Sequence, residues 1–430
     1  MNARANRFPL VDSLRAIAAL SVLLTHTAVA AGVSGNPHSA LSPYAQRLDV
    51  GVAIFFLISG LLLYRPFVAA RFRGRRTPVA GPYAWRRFLR IAPAYWLALT
   101  VTALWVGTSA YELGVFSASG FPTYYLLLQT YRGQTLSGGL VQAWTLTIEI
   151  TFYAFLPLYA WAMTRVAGRP ARAGRADRGG PDPRSVLRSE VIGLVVLVIV
   201  SEAWKAVVLG GQSPHQVVIT PALDALPSFL DQFALGMGLA VASAWIEQSG
   251  STPRWVRRFD RAPVLSWVFA AVAFYVVSKR IGISPRFFAP MGRWQYLGRE
   301  WLYAAVAFGL LLPAVIGEQT RGLPRRVLSL RVLAWLGLIS YGLYLWQTTA
   351  LAQLQRWNFG THSIIHPWVW WSAGTLAMTA AIAAASYYLL ERPLLSLKNV
   401  FGAQRSAPDE ALAEPAPAAP PPAASTRAER

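Results

Sequence analysis

The chain has 430 residues, 54% of them hydrophobic and 14% charged, with a mean hydropathy of +0.38. So apolar a composition excludes an ordinary water-soluble domain and points to a polytopic membrane protein. No cysteine occurs, which excludes disulfides, thiolate zinc sites and cysteine nucleophiles. The net charge of +21 comes without a stacking platform or basic groove motif, so it argues for loop charges that set topology rather than for nucleic acid.

Apolar runs long enough to span a bilayer need ~20 residues. In chain order they fall at about 10–31, 49–70, 88–107, 144–164, 190–209, 222–246, 263–280, 299–318, 331–355 and 366–390. The sequence thus predicts an all-α polytopic helix bundle of about ten transmembrane helices. The shorter run Phe121–Tyr131 must be re-entrant or interfacial, because the arginine-rich loops on either side of the third and fourth runs both belong inside. Those loops hold Arg71, Arg73, Arg75, Arg76, Arg86 and Arg87, and then Arg165, Arg169, Arg172, Arg175, Arg178, Arg184 and Arg188. Loops 247–262 and 319–331 are also arginine-rich and fall inside, which makes both termini cytoplasmic. The 279–298 loop departs from the pattern, placing Lys279, Arg280, Arg286 and Arg293 outside. It reads as a tolerated exception or as a basic outer surface for an acidic acceptor or lipid headgroup. Residues 396–430 are rich in Pro and Ala and are expected to be disordered, leaving residues 1–395 as the membrane domain.

The first run contains SLRAIAALSVLLTH, Ser13 to His26. Arg15 and His26 are eleven residues apart, so they differ by about 20° around a helix and by about 16 Å along it. Asp12 lies within roughly 60° of Arg15 on the same side. A charge near the bilayer centre costs on the order of 3 kcal/mol, so such a polar line normally faces a cavity. Interfacial snorkelling of Arg15 and simple packing of His26 are the plainer alternatives. Imidazole suits proton transfer near neutral pH. His38, His215, His362 and His366 have no metal-type spacing to His26, and no metal site is expected.

The third run opens with WRRFLRIAPAYW, where Arg87 and Arg90 share a face and suit bidentate phosphate binding. The fourth contains AWTLTIEITFYAFLPLY, which puts Glu149 inside an apolar span with Tyr153 one turn on. Glu149 needs a partner or a cavity. The GMG at 236–238 follows no strand and reads as helix packing through small residues.

Together these stretches resemble the membrane acyltransferase 3 family, bacterial integral-membrane proteins that O-acylate sugars, envelope polymers and some antibiotics. The matching pieces are R-x10-H (Arg15, His26), VGVAIFFLISGLLLYRPF with Ser59, R-x-x-R (Arg87, Arg90) and WTLTIEITFYAFLPL with Trp144, Glu149 and Tyr153. LGLISYGLYLWQ, with Tyr341 and Gln347, and the ERP of Glu391–Pro393 follow in the family's order. Two positions depart from it. Ala53 stands where an aspartate is common, and Gln347 where a histidine is common; a glutamine cannot act as a base.

The resemblance implies an O-acyltransferase of the bacterial inner membrane. Acyl-CoA would be a donor substrate rather than a bound cofactor, with its phosphates held by Arg87 and Arg90. Arg15 would hold the donor or a carboxylate, and His26 would deprotonate an acceptor hydroxyl or carry the acyl group. Glu149 would support the chemistry, with Asp12, Ser59, Trp144, Tyr153, Tyr341 and Gln347 around it. The acceptor would be a sugar, glycolipid, polysaccharide or secondary metabolite. A transporter or flippase of a lipid- or sugar-linked substrate is the competing reading, since it too would carry Arg, His and Glu within its helices.

Overall fold

The computed structural model describes residues 8–107, 113–136, 138–166, 182–250, 252–286, 289–359 and 366–397. His362, nearly all of the tail and most of the 169–186 loop lie outside these. The described residues form helices and turns, with one isolated bridge between Ser213 and Gln216. In order they are α1 (Pro9–Ala30), α2 (Ser42–Gln46), α3 (Gly51–Phe72), α4 (Ala80–Trp105), α5 (Gly120–Tyr125), α6 (Trp144–Val166), α7 (Pro183–Gly210) and α8 (Leu230–Ser249). Then follow α9 (Arg254–Arg261), α10 (Val264–Lys279), α11 (Arg293–Val315), α12 (Leu323–Leu328), α13 (Arg331–Leu338), α14 (Ser340–Arg356), α15 (Pro367–Ser386) and α16 (Arg392–Ser396).

Local chemistry sets several boundaries. Pro9 opens α1 with a fixed φ and no N–H left unpaired. Asp182 caps α7, accepting from Arg184 N at 3.1 Å and Ser185 N at 3.3 Å, and Pro183 follows it. Gly250 ends α8 at φ +63°, the left-handed conformation that glycine adopts freely. His366 caps α15 by accepting from Trp368 N at 3.2 Å.

Seven helical stretches are long and apolar enough to cross a membrane, or eight if the bent pair α9–α10 counts as one. All ten apolar runs of the sequence are helical, but three differ from a simple span. α10 has 16 residues and reaches about 24 Å, short of the ~30 Å hydrocarbon layer. α11 carries Arg293, Arg299 and Glu300 in its first turns, and the run at 331–355 is broken into α13 and α14. The bundle also exposes apolar side chains in stripes. Ile192, Val196 and Ile199 of α7 and Leu265, Phe269 and Val272 of α10 are more than half or nearly half exposed. Such faces need lipid as their solvent.

The 121–131 piece is short, as expected. α5 has six residues, and a 3-10 turn follows at Gln129–Tyr131. Its freed carbonyls are taken by side chains. Tyr95 donates to Tyr124 O at 2.7 Å, Trp96 to Tyr125 O at 2.9 Å and Thr147 to Leu127 O at 3.1 Å. Irregular backbone in a membrane protein requires this kind of cover.

At the centre, α3 packs against α8, backbone to backbone at two glycines. A Cβ on Gly60 would run into the carbonyl of Phe233, and one on Gly236 into the carbonyl of Leu57. The GMG glycine is therefore a packing residue. Phe152 of α6 stacks on Phe233 at 3.9 Å, tying a third helix to the pair.

Several charges read from the sequence as loop charges turn out to be structural, because α3 runs on to Phe72. Arg71 is 6% exposed and donates through Nε to Glu190 at 2.6 Å, while Tyr64 donates to the same carboxylate at 2.6 Å. Arg65 and Arg73 both bind Glu247 of α8. Farther on, Lys205 of α7 pairs with Asp231 of α8 at 2.9 Å and with Glu202 at 2.7 Å. The basic 279–298 loop is held locally. Lys279 sits 5.3 Å from the Tyr44 ring centroid, Arg280 5.6 Å from that of Tyr275, and Arg293 donates to Gly210 O at 3.2 Å.

Two predictions follow from these charges. Glu190→Ala leaves Arg71 buried without its anion, so unfolding in detergent should show a loss of about 3–5 kcal/mol. Replacing both, as Arg71→Met with Glu190→Leu, should cost much less; equal losses would contradict the pairing. The second concerns Asp224, in the turn ahead of the crossing stretch Leu226–Ser249. Burial pushes its carboxyl up to about 7, Arg299 opposing the rise and Glu300 adding to it. The folded state thus holds a proton that the unfolded chain has released, and this contribution to stability falls as pH rises from about 4 to about 7. Asp224→Asn should match the native chain in melting temperature near pH 4, exceed it increasingly up to about pH 7 and keep that gap above it; parallel pH profiles would exclude this.

Candidate active site

The site is built around α1, which packs against α3, α11, α13, α14 and α15. A cavity of about 200 Å³ opens between α1, α3, α4, α6 and α14. Arg15 reaches it from α1, Ser59 from α3, Arg87 and Arg90 from α4, Glu149 and Tyr153 from α6, and Tyr341 from α14. These seven candidates, spread over more than 300 positions of sequence, share one space.

Glu149 organises the floor. Its Oε1 accepts from Ser59 Oγ at 2.7 Å and from Tyr153 OH at 2.5 Å. Tyr153 is four residues on, so it meets Glu149 along one helix face. The Arg87 guanidinium stands 5.9 Å from the centroid of the Tyr153 ring, and its Nε is buried without a hydrogen-bond partner among the described residues. Tyr341 donates to Ile91 O at 2.9 Å and thereby anchors α14 to α4 just past the arginine pair. Arg15 feels Arg90, Asp12, Glu149 and Tyr153 as its charged and polar neighbours. Among the described residues Arg15, Arg87 and Arg90 form no ion pair within 4 Å, in contrast to Arg65, Arg71, Arg299 and Arg325. The rest of the wall is apolar, with Phe55, Phe56, Leu62, Leu63, Ile91 and Leu146. Such a space suits an anionic group joined to a short apolar one.

Four candidates stand outside the cavity wall. His26 lies farther along α1 beside Gln347, and its Nδ1 is buried with no hydrogen-bond partner among the described residues. Gln347 donates to Tyr344 O at 3.2 Å, and its Oε1 is also buried and unpaired among the described residues. Asp12 neighbours Arg15, while its backbone lies against Gly337 of α13. Trp144 packs on Phe229, ring centroids 6.0 Å apart.

Residues not singled out from the sequence join the two regions. Tyr344 lines the cavity, shares a 2.7 Å hydrogen bond with Thr145 and donates to Gln142 O at 3.0 Å. Gln142 in turn accepts from Thr348 Oγ1 at 3.0 Å. These hydroxyls and amides form a polar cluster that borders the arginine cavity through Thr145 and Tyr344 and meets Gln347 at the Tyr344 carbonyl. Glu391 is a further acid, 7% exposed, that acts on Arg90 and Arg15 and accepts from Ser386 at 3.3 Å. It sits in a π-helical turn, Tyr387–Glu391, a distortion common near functional sites. Its signal in the sequence was its place in the ERP triplet; Thr145 and Tyr344 carry none, since Thr and Tyr are unremarkable in membrane helices.

Comparison with known proteins gives the same direction. A family model described as an acyltransferase domain, of the acyltransferase 3 type, matches residues 9–174. Over 406 residues the chain is 23% identical to peptidoglycan O-acetyltransferase OatA of Listeria monocytogenes, covering 91% of this chain and 56% of that protein. It is 26% identical over 418 residues to nodulation protein 10 of Rhizobium leguminosarum, covering 92% and 95%. It is 24% identical over 404 residues to a putative peptidoglycan O-acetyltransferase, YrhL, of Bacillus subtilis, covering 90% and 54%. The chain thus spans little more than half the length of the two peptidoglycan O-acetyltransferases. No solved structure gives a significant match. The matched segment, 9–174, contains Arg15, His26, Ser59, Arg87, Arg90, Glu149 and Tyr153, so the similarity to the acyltransferase 3 family takes in most of the residues that meet at the cavity.

Proposed function

We propose that the chain is an integral-membrane O-acyltransferase that moves a short acyl group from acyl-CoA to a hydroxyl of a carbohydrate or envelope acceptor. The observation that carries this is the convergence of Arg15, Arg87 and Arg90, none of them ion-paired among the described residues, on one partly apolar cavity with Glu149. The names of two relatives, both peptidoglycan O-acetyltransferases, support acetyl as the group and a sugar polymer as the acceptor class.

Arg87 and Arg90 hold donor phosphates, for which planar guanidinium groups are suited. Arg15 adds a third positive charge for the anionic part of the donor, and the apolar wall takes the arm that carries the thioester toward His26. Ser59 and Tyr153 fix the Glu149 carboxylate so that it faces the arginines instead of collapsing onto one of them. When bound, acyl-CoA supplies an activated carbonyl. The acceptor oxygen attacks this carbon, the carbon–sulfur bond breaks, and the acceptor proton ends on the CoA thiol. His26 takes that proton, or carries the acyl group between donor and acceptor. The polar cluster of Thr145, Tyr344 and Gln142 borders the cavity and meets Gln347 at the Tyr344 carbonyl. Gln347 serves as a hydrogen-bonding neighbour of His26. Positive loop charges support a cytoplasmic donor side and cytoplasmic termini in the bacterial inner membrane.

Purified protein with labelled acetyl-CoA and a panel of soluble glycans tests the reading. His26→Ala should lower transfer by about 10²–10⁴-fold, the usual contribution of a positioned acid–base group. Retention of full transfer would sink the mechanism. Arg87→Ala with Arg90→Ala should weaken CoA binding at least tenfold by calorimetry, the order expected for losing two charge-assisted contacts; unchanged affinity removes the donor assignment. Acid quenching followed by peptide mass spectrometry separates the two roles of His26, since only the carrier route leaves an acylated α1 peptide.

A further inference from the structure

The helix α9, with sequence RWVRRFDR, has no part in the site just described. Its four arginines, Arg254, Arg257, Arg258 and Arg261, fall at i, i+3, i+4 and i+7, so they form one face. All four are exposed. The opposite side is fixed to the protein: Val256 is 1% exposed, and Phe259 packs on the main core. The one acid of the helix is already engaged. Asp260 accepts from Arg325 at 2.8 Å and from Glu318 N at 3.2 Å. None of the four arginines forms an ion pair among the described residues.

The orientation of the helix narrows what this face meets. α9 is bent by 74° from α10, a helix with the apolar, outward-facing surface of a membrane segment. A helix nearly perpendicular to such a segment lies along the membrane surface. Trp255, 46% exposed, stands beside the arginines, and an indole so placed is a usual interfacial anchor. Arg321, with 82% of its side chain exposed, and the exposed Arg326 add to the same end of the bundle. Four guanidinium groups spread over about 10 Å of helix match a row of phosphodiesters in a lipid surface better than a single compact anion.

We propose that the arginine face of α9 is a binding surface for the phosphodiester headgroups of anionic phospholipids. The attraction is mainly Coulombic, so it depends on charge rather than on guanidinium shape. It also weakens with salt, since the face is solvent-exposed. Polar-side arginines on a helix in the membrane plane act in this way when the leaflet is anionic.

The test uses the full chain in detergent, titrated with phosphatidylglycerol or phosphatidylcholine and read by native mass spectrometry. The native protein should retain phosphatidylglycerol in preference to phosphatidylcholine. A variant with Arg254→Gln, Arg257→Gln, Arg258→Gln and Arg261→Gln should lose at least tenfold of that preference, a modest fraction of what four charges near an anionic surface supply. The matching set of Arg→Lys changes should keep it, which also controls for folding. No preference in the native protein, or an unchanged preference in the Gln variant, overturns the proposal. So does a Gln variant that keeps its lipid preference but loses CoA affinity, since that would make the face a donor-capture surface. None of the four arginines lines the cavity, so loss of the lipid preference alone leaves the cavity reading as it stands.

Discussion

A charge inside an apolar helix bundle is tolerated only when something of opposite sign, or something polar, faces it. This constraint sorts the arginines of the chain into two kinds. Arg71 is matched with Glu190, Arg325 with Asp260, and Arg65 and Arg73 together with Glu247, and each match joins helices. Arg15, Arg87 and Arg90 converge instead around Glu149, whose nearest hydrogen-bond donors are Ser59 and Tyr153 rather than an arginine. The bundle pairs the charges it uses as staples and leaves the cavity with an excess of positive charge. Proteins keep such an imbalance in low dielectric where a ligand brings the missing charge.

The packing around the cavity serves the same end. Gly60 and Gly236 let α3 and α8 meet backbone to backbone, and Phe152 stacks on Phe233 to bring α6 into the same block. Ser59 precedes Gly60, and Glu149 lies on α6 one turn before Phe152. The two partners of the 2.7 Å hydrogen bond are therefore set by helix contacts rather than by loops. α4 is tied in separately, through Tyr341 to the carbonyl of Ile91, next to Arg90. The arginine pair thus rides on a helix held by fewer direct contacts than the Glu149 side.

How much of this was legible in the sequence depends on the distance over which each signal acts. Apolar runs are local, and all ten coincide with helices; their charges and breaks decide how many meet the strict requirements for a span. Arg15 and His26 share a helix, so their separation could be worked out from pitch alone. That Arg87, Arg90, Glu149 and Tyr341 meet Arg15 could not, because it depends on contacts between residues up to 326 positions apart; only the family's order of motifs hinted at it. Arg71 was misread for a related reason. It stands in a cluster of arginines that looks like a loop, and its partner Glu190 lies 119 residues on. Tyr344 and Thr145 were invisible, being ordinary residues whose role comes only from facing one another. His26 shows the opposite limit: its place on the helix was right, yet it does not line the arginine cavity.

That last point gives α1 a meaning beyond carrying two polar groups. From Arg15 to His26 the backbone is one unbroken α-helix, so the interval between them is set by hydrogen-bonded turns and not by side-chain reach. The helix is a ruler with two marks. Inserting or deleting one residue between the marks would swing His26 by about 100° around α1 while barely altering its depth. The eleven-residue spacing is a statement about rotation more than about distance.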